Sequence, residues 1–170
     1  MTEKTEYIKE ARQKYDAYDT KVWIKAYFDE NSGGCNVYHK KHNFTKTGGG
    51  GEAEKIVGII LAKYHSKQIE FLPEGKEKSP DIKFDNQTWD IKFIDKANEQ
   101  TIRNHIKDAK KADNAIFYFT KEDKYLLLIS ATKREVGRHI KGQIKKLPDI
   151  YVIDQNGLFS ALWKKNEGNH

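Results

Sequence analysis

Two carboxylates and a lysine lie within a short stretch of the chain, between residues 81 and 92. Asp81 follows Pro80, and a single residue separates Asp90 from Lys92. Side chains two residues apart on a β-strand emerge on the same face, so an extended segment would bring Asp90 and Lys92 together. Carboxylate oxygens bind hard cations such as Mg2+ or Mn2+, and a nearby ammonium group can stabilise charge on a phosphate. These residue types therefore indicate metal-dependent hydrolysis of phosphodiester bonds.

The pattern around these residues predicts a β-hairpin. Residues 81–85 and 88–94 have the composition of strands, and residues 86–87 separate them at hairpin spacing. In such a hairpin Asp81 would open the first strand, and Asp90 would lie on its antiparallel neighbour. The two carboxylates are then expected to converge at one end of the sheet.

A third acid would come from the helix that precedes these strands. Apolar residues between positions 52 and 65 recur at helical spacing, which predicts an amphipathic helix. Glu52 and Glu54 both flank its apolar stripe, and periodicity does not choose between them. We favour Glu54, because Gly58 lies one turn further along the same face and would leave room for backbone or substrate.

The rest of the chain contains both helical and extended patterns. Helices are expected at residues 3–18, 98–112 and 132–146, and strands at residues 35–39, 68–72, 115–119, 125–129 and 150–153, with a terminal segment at 158–163. Residues 22–28 are ambiguous. This order predicts an α/β (α+β) fold in which helices flank a mixed central β-sheet. We expect an N-terminal helical extension over residues 1–32 and one globular domain over residues 33–170.

The composition favours a folded protein with an anionic partner. Hydrophobic residues make up 37% of the chain and charged residues 33%, and 31 Lys and Arg exceed 25 Asp and Glu by six positive charges. The single cysteine, Cys35, excludes an internal disulfide and a cysteine-based zinc site. We expect no membrane span, because no apolar run approaches ~18 residues, and we expect the protein to act in the cytoplasm.

Basic residues are concentrated in two predicted helices, either of which could follow a phosphate backbone. The first comes directly after the strand with Asp90 and is the better candidate. Its expected nucleic-acid contacts are Lys96, Thr101, Arg103, Asn104, Lys107 and Lys111. The second carries Lys133, Arg134, Arg138, Lys141, Lys145 and Lys146. The alternative for both is a solvated helix face.

Four histidines and a glycine run are further candidates for binding a metal or a phosphate. His39 and His42 are spaced to bind a metal or stack on a base, but we favour a polar loop, because no further His or Cys lies nearby to complete a zinc site. His105 and His139 are expected on exposed helix surfaces. The run 48–51 lacks the Gly-Lys-Ser/Thr ending of a phosphate-binding loop and is interpreted as a hinge.

The order of an acidic helix, Pro80-Asp81 and then Asp90-Ile91-Lys92 resembles the PD-(D/E)xK nuclease superfamily. The resemblance implies a restriction-endonuclease-like core and a catalytic set of Glu54, Asp81, Asp90 and Lys92. It also implies that Mg2+ or Mn2+ is bound by the three carboxylates.

The surroundings of these motifs are similar to the C-terminal toxin domains of contact-dependent growth inhibition (CdiA-type) proteins. The similarity spans residues 33–130, including Gly33-Gly34, His39, His42 and the segment from Ala109 to Asp113. Several such domains are tRNA nucleases, which implies an RNA substrate and a cognate immunity protein. It also implies delivery within a larger secreted protein, or attachment to a phage head protein. A DNA endonuclease of the same fold and an inactive nucleic-acid-binding module are the alternatives.

Overall fold

A computed structural model describes residues 1–45 and 49–167 of the chain. The chain divides into two compact units, Met1–Thr88 and Trp89–His170. Each unit combines helices with β-strands in a sheet of mixed direction, which confirms the predicted fold class. The predicted domain boundary after residue 32 stays a prediction.

The described residues of the first unit include two α-helices and four complete strands. They are α1 (Glu3–Asp16), β1 (Trp23–Phe28), β2 (Cys35–His39), α2 (Gly50–His65), β3 (Gln68–Phe71) and β4 (Ile82–Phe84). Strand β2 pairs antiparallel with β1 and parallel with β3, and β3 pairs antiparallel with β4. Apolar side chains of α2 and β3 are fully buried in this unit, among them Val57, Leu61, Ile69 and Phe71. Burial of these side chains is the main driving force that holds α2 in place.

Three glycines of the run, at positions 49–51, lie at the start of α2. Gly49 is the N-terminal cap residue and has a φ of 83°, a conformation that favours glycine. At Gly51 an added Cβ would lie 1.7 Å from the carbonyl oxygen of Phe44. The interpretation of this run as a hinge is therefore wrong for residues 49–51, and Gly48 lies outside the described residues.

The turn between the two predicted hairpin strands is displaced by one residue. The turn residues are Asp85 (φ 51°) and Asn86 (φ 59°), not residues 86–87. Two consecutive positive φ angles are typical of the two-residue type I′ loop, in which Asp and Asn are tolerated. Strand β4 begins at Ile82, so Asp81 lies immediately before the strand.

The second unit contains most of β5 (Gln87–Phe93), which begins at the end of the first unit. Its other elements are α3 (Glu99–Asp108), a short 3-10 helix (Ala109–Lys111), β6 (Asn114–Tyr118), α4 (Asp123–Ile140), β7 (Asp149–Ile153) and β8 (Phe159–Trp163). Strand β6 pairs parallel with β5 and β7, and β7 pairs antiparallel with β8. Helices α3 and α4 pack with β6 and β7 around one hydrophobic core, which includes Ile102, Ile106, Phe117, Leu128 and Val152.

The predicted strand at residues 125–129 is wrong, because this segment belongs to helix α4. An apolar run of five residues fits a buried strand as well as a helix. In the structure Leu128 is fully buried, whereas the side chain of Leu126 is 70% exposed. The buried positions of α4 are 128, 131, 132 and 135, which is helical spacing. Helix α4 therefore also contains the first part of the basic helix predicted at residues 132–146.

Gly34 should be intolerant of substitution. A Cβ at this position would lie 1.8 Å from the carbonyl oxygen of Ala62 in α2. Gly34→Ala is expected to lower the free energy of unfolding by about 1–3 kcal/mol, because neither backbone segment can move away without disturbing its packing. The measurement is urea denaturation followed by circular dichroism.

The matched control is Gly137→Ala in α4. Apart from its own helical turn, no atom of the described residues lies within 4 Å of the added Cβ, and the backbone there is helical. Alanine should raise the free energy of unfolding by roughly 0.5–1 kcal/mol, because it reduces the freedom of the unfolded chain. Equal urea midpoints for the two variants would contradict the proposed close approach at Gly34.

Candidate functional site

Asp90 and Lys92 lie on the same face of β5, as their spacing predicts. Asp90 is in register with Ala115, and Lys92 with Phe117, on the neighbouring parallel strand β6. Residues in register share a face, and Ala115 and Phe117 belong to the core formed with α3 and α4. Asp90 and Lys92 therefore face the helical side of the second unit. On the opposite face, Trp89 packs edge-on against Tyr151.

The two charged groups are close enough to interact. Lys92 Nζ lies 3.9 Å from Asp90 Oδ2, and the side chains are 23% and 9% exposed. This separation is at the long end of an ion pair, so the ammonium group lies beside the carboxylate without a short hydrogen bond. The arrangement places one negative and one positive group side by side at a partly accessible position.

His105 lies on α3 near this pair. It is half-buried, so the prediction of an exposed surface residue is wrong. Burial and the positive charge of Lys92 lower the pKa of His105. The prediction is also wrong for His139, which is half-buried with its Nδ1 atom 2.8 Å from the carbonyl oxygen of Ile144. A signal was present for His105, because it lies three residues after buried Ile102, a spacing that places two residues on the same side of a helix.

The two candidate glutamates of α2 have opposite environments. Glu54 is buried, with 2% of its surface exposed, whereas Glu52 is exposed. Gly58 was expected to leave room for backbone or substrate beside Glu54, and its surroundings correct this expectation. A Cβ at Gly58 would come within 2.8 Å of the Phe71 ring and 2.9 Å of the Asn36 amide. The absent side chain of Gly58 makes room for packing against β2 and β3 and not for substrate.

Glu54 has a partner that the sequence did not indicate. His42 Nε2 lies 2.9 Å from Glu54 Oε2, and His42 Nδ1 lies 2.7 Å from the carbonyl oxygen of Leu72. The His42 ring packs against Phe44 and Phe71, so the expectation of a polar loop is wrong for this histidine. His39 is half-buried instead and packs edge-on against Trp23.

Asp81 is also buried in the first unit, with 9% of its surface exposed. Its backbone carbonyl accepts a hydrogen bond of 2.9 Å from the amide of Leu72, just after β3. Asp81 and Glu54 thus lie in one unit, and Asp90 and Lys92 lie in the other.

The carboxylates have the donor chemistry expected for a hard cation. Within residues 1–45 and 49–167, no group of three or more His, Cys, Asp and Glu side chains is arranged around an ion position. Mg2+ and Mn2+ bind oxygen donors, and Mg2+ usually keeps several waters while using only one or two protein carboxylates. The side chains of Asp81, Asp90 and Glu54 each carry oxygen donors of this type.

The residues predicted to contact nucleic acid differ in their exposure to solvent and in their ion pairs. Lys96, Thr101, Asn104 and Lys111 are exposed, and Lys107 is half-buried. Arg103 instead donates from Nε to Oε1 of buried Glu135 at 2.7 Å, across α3 and α4. In the second basic segment, Arg138 also pairs with Glu135, and Arg134 pairs with Glu99. Arg103 and Arg134 thus form ion pairs that link α3 to α4, whereas Arg138 and Glu135 both lie on α4.

No model of a known protein family matches the chain, and no curated protein matches it. Among solved structures, the chain is similar to one in a "CdiA-CT/CdiI toxin and immunity complex from Burkholderia pseudomallei". The two chains are 17% identical, the match covers 68% of this chain and 85% of the other, and the TM-score is 0.50. The fold is thus one found in a contact-dependent growth inhibition system.

The comparison establishes a fold and not an activity, because the two sequences are far apart. It agrees with the resemblance to toxin domains of this system that the motifs suggested. In the part of the chain that the structure describes, no helix is long and apolar enough to cross a membrane.

Proposed function

We propose that the chain is a toxin-type, metal-dependent endonuclease that hydrolyses phosphodiester bonds in RNA, with tRNA as its substrate. The observation that carries the proposal is the placement of Asp90 and Lys92 on one face of β5, with Lys92 Nζ 3.9 Å from Asp90 Oδ2. An acid and an amine in this arrangement suit a site that handles a phosphate group. The fold likeness to a toxin and immunity complex supports the toxin setting.

The proposal assigns a role to each of four residues. Asp81, Asp90 and Glu54 would hold Mg2+ or Mn2+, which when bound polarises the phosphate and makes water more acidic. Lys92 would donate to a phosphate oxygen and stabilise the negative charge that builds up during hydrolysis. Water adds to phosphorus, the phosphorus–oxygen ester bond breaks, and the leaving alcohol takes up the proton.

Substrate would be bound by exposed polar and basic residues that follow β5. Lys96 and Lys111 can contact phosphates, whereas Thr101 and Asn104 can contact polar groups of the nucleotide. Arg103 is left out of this surface because it pairs with Glu135. The excess of six positive charges favours association with any polyanion, so it supports nucleic-acid binding without choosing RNA over DNA.

The toxin setting implies a partner and a place of action. The structurally similar chain comes from a complex of a toxin with its immunity protein. By analogy, a cognate immunity protein would bind this chain and block its activity. The domain would be delivered as part of a larger secreted protein and would act in the cytoplasm of the target cell.

A cleavage assay tests the proposed chemistry. Purified protein is incubated with total tRNA or with plasmid DNA, each in the presence of Mg2+, Mn2+ or EDTA. We expect tRNA fragments with either metal, none with EDTA, and intact plasmid. Persistence of cleavage in EDTA would contradict a metal-dependent mechanism.

Two other outcomes would replace the proposed function with a different one. Cleavage of plasmid but not of tRNA would make the protein a DNA endonuclease of the same fold. Binding of nucleic acid without cleavage under every condition would make it an inactive binding module. Filter binding at two salt concentrations detects this second outcome, because phosphate contacts weaken as salt rises.

A further inference from the structure

The environment of His42 restricts where its protons can be. Its side chain is 0% exposed and packs against the aromatic rings of Phe44 and Phe71. Nδ1 is 2.7 Å from the carbonyl oxygen of Leu72, which can only accept a hydrogen bond. Nδ1 must therefore carry a proton and donate it to Leu72.

The second ring nitrogen faces another oxygen. Nε2 lies 2.9 Å from Oε2 of Glu54, whose side chain is 3% exposed. If Nε2 and the carboxylate were both unprotonated, two acceptors would face each other in a buried position, which is unfavourable. One proton therefore lies between them, carried by the ring or by Glu54. In either form the ring holds the carboxyl group in one orientation.

The backbone of Leu72 is bonded both to His42 and to Asp81. Its carbonyl accepts from His42, and its amide, which belongs to the preceding peptide group, donates to the backbone carbonyl of Asp81 at 2.9 Å. His42 is thus fixed to the segment that pairs with the backbone of Asp81, and all of these bonds lie within the first unit.

We propose that His42 is a positioning residue, which orients the Glu54 carboxyl group for cation binding. The inference rests on the proposed function, because it gives Glu54 and Asp81 their roles as ligands. Side chains that hydrogen-bond to ligating carboxylates tune the affinity for the metal, and their removal typically costs about 10- to 100-fold. His42 itself contacts neither the cation nor the substrate.

The test compares substitutions that keep different parts of the ring. His42→Ala removes both hydrogen bonds, whereas His42→Gln retains an amide donor near the position of Nε2. Mn2+ affinity is measured by titration calorimetry, well below the melting temperature of each variant. We expect His42→Ala to bind Mn2+ about 10- to 100-fold more weakly and His42→Gln to recover most of the affinity.

Two further variants separate positioning from folding. His139→Ala removes another half-buried histidine that bonds to a backbone carbonyl, and it should bind Mn2+ like the wild type. If His42→Ala does not fold, His42→Asn replaces it, because asparagine keeps a donor toward Leu72 but does not reach Glu54. We then expect weaker Mn2+ binding in His42→Asn than in His42→Gln.

The outcomes distinguish the two proposals. If the wild type binds Mn2+ and cleaves RNA, and His42→Ala or His42→Asn binds Mn2+ with wild-type affinity, the positioning role is overturned and the nuclease proposal survives. A lower melting temperature with unchanged affinity also overturns the positioning role, because His42 is then purely structural. If the wild type neither binds Mn2+ nor cleaves nucleic acid, the proposed function fails first.

Discussion

Asp90→Asn is expected to lower the rate of tRNA cleavage by at least about a hundredfold, with no loss of folded structure. Asparagine has nearly the shape of aspartate, so packing beside β6 should be retained. The substitution removes the negative charge that lies 3.9 Å from the Lys92 ammonium group. Single-turnover cleavage of tRNA measures the effect, and thermal denaturation verifies the fold. The matched control is Asp123→Asn, which changes an acid with a 71% exposed side chain in the same unit.

Combining Asp90→Asn with Lys92→Met tests whether the two residues act as a unit. Residues that serve one step show non-additive losses, so the double variant should be little worse than the more damaged single variant. Fully additive losses would indicate that Asp90 and Lys92 act in separate steps. Undiminished cleavage in all three of Asp81→Ala, Asp90→Ala and Lys92→Ala would remove the proposed mechanism.

Glu135→Ala should produce the largest loss of stability, a decrease of about 3–5 kcal/mol in the free energy of unfolding. The Glu135 side chain is 0% exposed and accepts from Arg103 Nε at 2.7 Å and from Arg138 Nη1 at 3.3 Å. Its removal leaves the Arg103 guanidinium, with a side chain 19% exposed, without this carboxylate. Urea denaturation followed by circular dichroism measures the change.

Two control variants show whether the loss of stability in Glu135→Ala comes from its buried ion pairs. Glu167→Ala breaks a surface ion pair, in which the side chain of Lys164 is 34% exposed and that of Glu167 is 66% exposed, and it should cost much less because solvent screens the pair. Glu135→Gln keeps an acceptor without the charge, so its cost should lie between the other two. A loss in Glu135→Ala no larger than that in Glu167→Ala would show that the buried pair contributes little.

Features that depend on neighbours in the sequence were predicted well. Strand β2 was predicted at residues 35–39, its bounds in the structure, and the strand around Asp90 and Lys92 was placed to within one residue. Alternation along a strand decides which side chains share a face, so the common face of Asp90 and Lys92 followed from their spacing. The amphipathic pattern at residues 52–65 likewise predicted helix α2 to within two residues at its start.

Features that depend on packing were predicted poorly. The apolar run at residues 125–129 is compatible with a strand or a helix. In the structure it is helical and packs against α3 and the sheet. The turn at Asp85 and Asn86 was displaced because several polar residues in a row can each form a turn.

Partners that are distant in sequence were the main gap. The shared strand face of Asp90 and Lys92 could be predicted from their spacing alone, because side chains on a strand alternate between two faces whatever surrounds the strand. The pairing of His42 with Glu54, 12 residues away, and of Arg103 with Glu135, 32 residues away, arose only when the elements packed. Burial excludes water from these groups, so each polar atom must find a partner inside the fold, and that choice depends on three-dimensional neighbours that no local pattern specifies.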